Sequence, residues 1–221
     1  MKKSKCILAA VLIIGLGLIR SGISAAASPE TKAHGPRLLS LSYGMAAFFP
    51  KPGLYSRREL NPYPALDGPA RFQGMIMQGA LGRHVLLALK GYGSLKENTT
   101  RTGYTNWGGG LTAVGIEFRQ TFSEMLFIGG NGWLGGGRFN LSASSLRNDN
   151  KINIFTNAFF VEYQLTIGVV FRRRIVLSSF GSFMLPLPGS TVVDGNIALS
   201  SAFPRGLFVG AALGYQFRFL N

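Results

Sequence analysis

The sequence predicts an all-β protein, a closed antiparallel up-and-down transmembrane β-barrel of about eight strands. Three observations predict this fold class. Hydrophobic residues alternate with small or polar ones over long segments, which is the period of a β-strand. Short and long connections between these segments alternate along the chain, as they do in membrane barrels. Glycine is abundant, at 30 of 221 residues, yet after residue 27 no apolar run approaches the ~18 residues of a membrane-spanning helix.

The N-terminus has the three parts of a secretory signal peptide. Three lysines among the first five residues precede an apolar run over Ile7–Ile19, and small residues close the segment at Ala25–Ala27. This order is typical of a cleaved signal, so we expect cleavage after Ala27; an uncleaved anchor is the alternative. The predicted organisation is a signal peptide over 1–27, an N-terminal periplasmic lead over 28–37 and an outer-membrane β-barrel over 38–221.

Charge and cysteine content restrict the chemistry that the chain can carry. The formal net charge is +14. An exported protein does not meet nucleic acid, so we expect its partners to be outer-membrane lipid head groups and lipopolysaccharide phosphates. Cys6 is the only cysteine and precedes the apolar core of the signal. The mature chain therefore forms no disulfide and no cysteine-ligated metal site.

The predicted strands follow from the alternation. Residues 207–219 have one wholly apolar face that ends in aromatic residues, and they are long enough to cross a membrane when tilted. Residues 155–171 repeat the pattern, with Asn157 as the one interruption of the apolar face. The apolar face is expected to meet lipid and the other face to fill the lumen. Six further strands are predicted over residues 39–49, 71–80 (with blurred parity), 85–90, 112–118, 125–138 and 175–185.

The connections between these segments predict which end of the barrel is which. Short connections are expected over 81–84, 119–124 and 172–174, and long ones over 50–70, 95–106, 140–151 and 186–205. Outer-membrane barrels have short periplasmic turns and longer external loops. Because lipid offers backbone groups no partners, the sheet must close.

At this point the chain resembles a known family. Its alternating strands and its C-terminal aromatics Tyr215, Phe217 and Phe219 are similar to the small eight-stranded outer-membrane proteins, the broad family of OmpX, OmpW and the OmpA barrel domain. The resemblance covers roughly residues 38–219 and implies a bacterial outer-membrane location. It also implies recognition of the aromatic last strand by the barrel assembly machinery. Leu220 and Asn221 depart from the family, whose members often end on the aromatic residue.

Candidate catalytic and metal-binding residues are few. Some barrels of this size modify lipid A, and the deacylases among them carry an H-x-S arrangement on a strand. Neither His34 nor His84 is followed by that pattern. Gly130, Gly132 and Gly135 spell G-x-G-x-x-G, but within a predicted strand and without a following helix, so we read no nucleotide site there. We expect no catalytic residue, no cofactor and no metal.

Two tryptophans beside glycine runs allow two interpretations. Trp107 and Trp133 flank the same predicted hairpin and are expected at similar heights near the outer rim. The first interpretation is an aromatic girdle at the lipid interface, beside glycines that let the strands bend. The second is a lateral groove where missing side chains admit an acyl chain.

The charged residues fall into three predicted groups. Lys90, Glu117, Glu162 and Arg218 lie on inward faces and are expected to pair or to meet water while they fill the lumen; a gate across a narrow pore is the alternative. Arg172–Arg174 forms a solvated periplasmic turn that contacts lipid phosphates. The cations predicted in external loops, where they could bind lipopolysaccharide phosphates, are Lys51, Arg57, Arg58, Lys96, Arg101, Arg147, Lys151 and Arg205.

These observations favour an integral outer-membrane barrel with a structural or surface-interaction role and no enzymatic activity. A small channel for ions or hydrophobic solutes is the first alternative, although an eight-stranded lumen is usually filled by side chains. A lipid A-modifying enzyme is the second alternative. A soluble β-sandwich is the third, and it would place the apolar faces inside.

Overall fold

The computed structural model describes residues 37–50, 68–145, 150–187, 190–193, 196–198 and 206–219. These residues form antiparallel β-strands joined by turns. The strands are β1 (Arg37–Pro50), β2 (Ala70–Ala80), β3 (Val85–Thr100), β4 (Gly103–Thr121), β5 (Leu126–Ser145), β6 (Asn150–Phe171), β7 (Ile175–Pro186), β8 (Ser190–Val193), β9 (Asn196–Ala198) and β10 (Gly206–Phe219). No helix among these residues is long and apolar enough to cross a membrane.

Eight of the strands close into one barrel. Strands β1 to β7 pair in sequence, β10 pairs with β7, and β1 pairs with β10. Following the paired residues around the barrel from Ser40 leads back to β1 at Pro50, ten residues further along. This stagger is the shear that tilts the strands, by about 35–45° in barrels generally. The predicted fold class is confirmed, and the alternative of two packed sheets is wrong because the sheet is continuous.

The two faces of the barrel wall differ in the way that the alternation predicts. In β1, Ser40 and Ser42 are buried inside the barrel, whereas Tyr43 and Met45 are about half exposed on the outer surface. The same holds in β10, where Phe208 is buried and Leu213 is exposed. An apolar outer surface around a partly polar interior is the arrangement of a membrane barrel, since a water-soluble barrel would expose its polar face.

Three short turns lie at one end of the barrel, as predicted. They connect β2 to β3, β4 to β5 and β6 to β7. In the last of them Arg172 and Arg173 have φ angles of 47° and 59°, and Arg174 donates its backbone N–H to the Phe171 carbonyl at 3.0 Å. Two consecutive left-handed residues between the carbonyl and the N–H of such a hydrogen bond make a type I′ turn, whose twist matches that of a β-hairpin.

The opposite end differs from the prediction. The expected loop over 95–106 is instead a continuation of β3 and β4, which are separated only by Arg101 and Thr102. The expected loop over 140–151 is likewise mostly strand, because β5 extends to Ser145 and β6 begins at Asn150. Both stretches are polar, and a ladder outside the lipid needs no apolar face because each strand satisfies the other's backbone groups. The loss of apolar alternation therefore marked the end of the membrane band, not the end of the strands.

The connection predicted over 186–205 also contains regular structure. Strands β8 and β9 form a small hairpin, and β8 pairs with the extended part of β6, where Ile154 lies opposite Val193. Most of the predicted loop over 50–70 lies outside the described residues. We call the end that carries the extensions of β3–β6 the hairpin end, and the other end the turn end.

Candidate functional site

The interior near the turn end holds a network of polar side chains around Glu117. This carboxylate is fully buried, and Arg119 donates its Nε to the Oε1 atom at 2.6 Å. Gln78 donates its Nε2 to the Oε2 atom of Glu117 and accepts hydrogen bonds from Arg119 and from Ser40, each at 3.1 Å. The guanidinium also lies 4.1 Å from the ring centre of Phe127. Each charge is thus compensated, as burial requires.

The middle of the lumen is crossed by an ion pair. Lys90 Nζ and Glu162 Oε1 are 2.7 Å apart, and each side chain is only 3% exposed. The ammonium also lies 4.3 Å from the ring centre of Trp133, whose indole N–H donates to Gln164 Oε1 at 3.1 Å. Gln164 in turn donates to Thr166 at 3.0 Å. This pair joins β3 and β6, which are separated in the barrel wall by β4 and β5.

Asn131 connects the two polar groups. With its amide oriented so that oxygen and nitrogen each meet a complementary partner, it donates to Glu117 Oε2 at 3.2 Å and accepts from Gln164 Nε2 at 3.3 Å. A continuous chain of hydrogen bonds and ion pairs therefore runs from the turn end to the centre of the lumen.

Aromatic side chains fill the interior toward the hairpin end. The indole of Trp107 stacks on the ring of Phe139, with centroids 5.0 Å apart and planes within 4°. Phe72 meets both rings edge-on, and Phe48 and Phe208 extend the contact across to β1 and β10. All five side chains are buried. We refer to them as the aromatic cluster.

The prediction of a tryptophan girdle is wrong. Trp107 and Trp133 are 3% and 2% exposed and point into the barrel. They also lie at different levels, because Trp107 pairs with Leu141 whereas Trp133 pairs with Gly115. A Cβ on Gly115 would lie 2.6 Å from the Trp133 ring, so the missing side chain makes room for the indole. Extending the inward parity of Glu117 back along β4 would have placed Trp107 inside.

Three of the four predicted inward charges lie in the lumen. Lys90 and Glu162 pair with each other, as expected, but Glu117 pairs with Arg119, which lies in a segment predicted as a turn. The inward parity of β4 was the signal that could have found Arg119. Arg218 pairs with Leu38 through the backbone register, and its side chain is outside the described residues.

The other candidate residues form no reactive arrangement in the described part of the chain. His84 Nδ1 lies 3.2 Å from the Arg119 carbonyl oxygen at the turn end, and His34 is outside the described residues. Gly130, Gly132 and Gly135 lie within β5, which agrees with their assignment to a strand.

The hairpin end carries an excess of cations among the residues that the structure describes. Arg101 and Lys151 are exposed on neighbouring hairpin tips, since Gly103 pairs with Ser145 and Ser145 with Asn150. Lys96 donates to the Gly68 and Pro69 carbonyls at 2.7 and 3.3 Å and so fixes the entry to β2. Of the external cations predicted from sequence, Lys51, Arg57, Arg58, Arg147 and Arg205 lie outside the described residues.

Solved structures similar to this chain are outer-membrane proteins. No protein-family model and no curated protein sequence matches the chain. The attachment invasion locus protein Ail of Yersinia pestis, solved with the heparin analogue sucrose octasulfate, superimposes with a TM-score of 0.52 at 11% identity, over 83% of this chain and 99% of that one. Ail solved alone gives 0.51 at 12% identity, over 83% and 99%. A major outer membrane protein of Thermus thermophilus gives 0.50 at 11% identity, over 82% and 99%. At these identities the likeness shows the fold.

The geometry and the comparisons agree on the class of protein. The chain is a closed eight-stranded transmembrane β-barrel of the outer-membrane type, as the resemblance to small outer-membrane barrels predicted. Its interior is built from buried ion pairs and aromatic rings, and its hairpin end is extended by polar strands.

Proposed function

We propose that this protein is a non-enzymatic outer-membrane barrel that acts through its surface, by binding phosphate- or sulfate-bearing partners at the hairpin end. The filled lumen is the observation that carries this proposal. Between the central ion pair and the aromatic cluster, the cavity lined by Lys90, Tyr92 and Glu162 has a volume of only about 10 Å³, which is room for about one water molecule. Function therefore belongs to the outer surface.

The charge of the hairpin end supports an anionic partner. Among the described residues, Arg101 and Lys151 are exposed at the tips with no carboxylate paired to them, and Glu97 is the acidic residue nearby, bonded to Asn106 at 3.4 Å. Arginine and lysine on extended hairpins bind phosphate or sulfate groups through charge-assisted hydrogen bonds. The similar barrel Ail has been solved with a polysulfated sugar, which supports the same class of partner here.

Export and assembly complete the proposal. The basic, apolar and small-residue order before residue 28 supports a signal peptide cleaved after Ala27, and N-terminal sequencing of the membrane form tests it. Tyr215 and Phe217 on the outer face of β10 support recognition by the barrel assembly machinery, since both aromatic rings are exposed there.

Two measurements test the proposed role, and the mass of lipid A tests the enzyme alternative. The first is the conductance of the purified barrel in planar bilayers. We expect no stepwise currents, because both the ion pair and the aromatic cluster block the lumen; regular steps would favour the channel alternative. We also expect lipid A to have the same mass in a strain that expresses the protein and in a deletion strain. A difference in mass would favour the enzyme alternative.

The second measurement is binding to immobilised heparin. The double variant Arg101→Gln with Lys151→Gln should bind about tenfold more weakly, and the interaction of the unmodified protein should weaken with added salt. The matched control is Arg83→Gln with Arg172→Gln, which removes two exposed cations from the turn end and should leave binding unchanged. Equal loss in both variants would mean that net charge, rather than the hairpin end, binds the polyanion.

A further inference from the structure

A groove lies on the outer wall of the barrel. Its volume is about 410 Å³. It lies where β3, β4 and β5 leave the apolar band, and is lined by Leu95, Asn106, Gly108, Arg138 and Asn140 together with Ser94 and Gly109.

The groove exists because side chains are missing from the outer face. The register places Leu95, Gly108 and Asn140 in one row across the strands, and Gly93, Gly110 and Arg138 in the row below. The next row toward the turn end is Gly91, Thr112, Gly136 and Phe159. Leu89, Val114, Leu134 and Val161 follow, and there the wall is fully apolar again. The depression therefore opens into the lipid-facing surface and is flanked by Leu95 and Phe159, which are 64% and 66% exposed.

The polar groups of the groove lie at its upper end and have unused bonding capacity. Arg138 is exposed, and its guanidinium contacts the Phe155 ring at 5.4 Å. None of the ion pairs among the described residues includes Arg138. Asn140 donates to Ser142 at 3.2 Å, but its Oδ1 is buried and accepts no hydrogen bond. The site thus offers a cation, Arg138, to an anion.

We propose that this groove binds one phosphorylated, acylated glycolipid of the outer leaflet, namely the lipid A part of lipopolysaccharide. A phosphate on the sugar matches Arg138. An acyl chain lies over Gly110 and Gly136, where no side chain excludes it. The level of the groove fits, since head groups lie where an apolar band ends, and the hairpin end faces the outer leaflet.

The occupant follows from the combination of groups. Phosphatidylglycerol also offers a phosphate and acyl chains, but the groove lies toward the hairpin end, which faces the outer leaflet, and there the anionic acylated lipid is lipopolysaccharide. A second copy of the chain would bring no anion to Arg138. The inference rests on the outer-membrane class of the barrel and not on polyanion binding at the hairpin tips.

Native mass spectrometry of the membrane-purified protein tests the proposal. The detergent-solubilised barrel is titrated with purified lipid A and, separately, with phosphatidylglycerol. Arg138→Gln should weaken lipid A binding about tenfold, as loss of one charge-assisted bond does. Gly108→Leu should weaken it to a similar degree, because the new side chain occupies the groove beside Leu95. Arg138→Lys should restore part of the affinity.

A matched control separates the groove from the rest of the wall. Gly132 also faces outward on β5, with no atom within 4 Å of an added Cβ, and Gly132→Leu should leave lipid A binding unchanged. Gel mobility of boiled and unboiled samples verifies that each variant is folded. Unchanged lipid A affinity in Arg138→Gln and Gly108→Leu overturns the proposal, as does phosphatidylglycerol binding equal to that of lipid A. Heparin binding by the same variants should stay normal, so failure here is distinct from failure of the proposed function.

Discussion

Single residues inside the lumen decide how the barrel packs. Gly44 faces inward from β1, and a Cβ there would lie 2.5 Å from the hydroxyl of Tyr92 and 3.4 Å from its ring carbon Cζ. The absence of a side chain at Gly44 therefore leaves room for the Tyr92 ring next to the central ion pair. From the sequence, Gly44 is predicted only to lie on the small-residue face of a strand, because the side chain that needs the space, Tyr92, is on another strand.

Substitution of Gly44 should disturb this contact. Gly44→Val is expected to destabilise the barrel by about 1–3 kcal/mol, the usual cost of forcing extra atoms into a packed interior. Urea unfolding in lipid vesicles, followed by tryptophan fluorescence, measures the change. Gly132→Val is the control, because Gly132 has open space around it and a surface substitution shifts stability by no more than about 0.5 kcal/mol. Equal effects at both positions would contradict the packing argument.

The central ion pair should show strong coupling. Lys90→Met leaves Glu162 buried without its partner, and Glu162→Met leaves Lys90 in the same state, so each single change should cost about 3–5 kcal/mol. The double variant removes both charges and should be more stable than either single variant, since replacing a buried pair by apolar groups is often neutral. Unfolding free energies of the four proteins give the coupling, and additive single effects would rule it out.

Among the elements, the turn between β6 and β7 has a backbone that its residues do not favour. Arg172 and Arg173 both adopt left-handed conformations, which residues with a Cβ reach at a cost of roughly 1–2 kcal/mol each. Arg173 pairs with Glu124 at 2.8 Å, but both side chains are largely exposed, so the bond stabilises the turn little. The strands on either side impose the turn, since their register leaves three residues to reverse the chain.

The residues that a type I′ turn favours should therefore stabilise the protein. Replacing Arg172 by Asn and Arg173 by Gly is expected to raise the unfolding free energy by about 1 kcal/mol. The measurement is the urea midpoint in lipid vesicles. Glu124→Gln is the control, because it breaks the ion pair and leaves the turn unchanged; we expect a shift below about 0.5 kcal/mol. A loss of stability in the Asn-Gly variant would mean that the arginine side chains stabilise the turn more than their exposure implies.

At the scale of the whole molecule, closure of the sheet determines stability. Every barrel strand is paired on both sides, so no edge is exposed to lipid, where unpaired backbone groups find no partners. The barrel should therefore resist SDS until heated. We expect the unboiled protein to migrate faster than the boiled protein on SDS gels, and the same sample unfolded in urea to migrate with the boiled form. Equal mobility of all three, together with extraction without detergent, would contradict a closed transmembrane barrel.

Much of the fold and some of the interior could be predicted from the sequence. All eight barrel strands were predicted, most of them from alternation, because the period of two is a local property that lipid on one side and lumen on the other impose on each strand. The same parity placed Lys90 and Glu162 inside. Residues 71–80 were predicted as a strand despite a blurred parity. Alternation failed to predict the strand ends that extend beyond the membrane, as in residues 95–106. Both faces of the strand are polar there, so no apolar face alternates with a polar one. Parity was also not applied to Trp107, where the neighbouring glycines remove the apolar face against which parity is judged.

The sequence by itself therefore determined the class of protein, the number of barrel strands and, in the clearly alternating strands, the face that meets lipid, because these follow from contacts with a uniform solvent. Only the tertiary structure decided which side chains meet. The stagger of ten residues around the barrel brings Lys90 of β3 to Glu162 of β6, Tyr92 to Gly44, and the glycines of three strands into one groove. These partners are far apart in sequence, and register, which sets them, depends on all eight pairings closing at once.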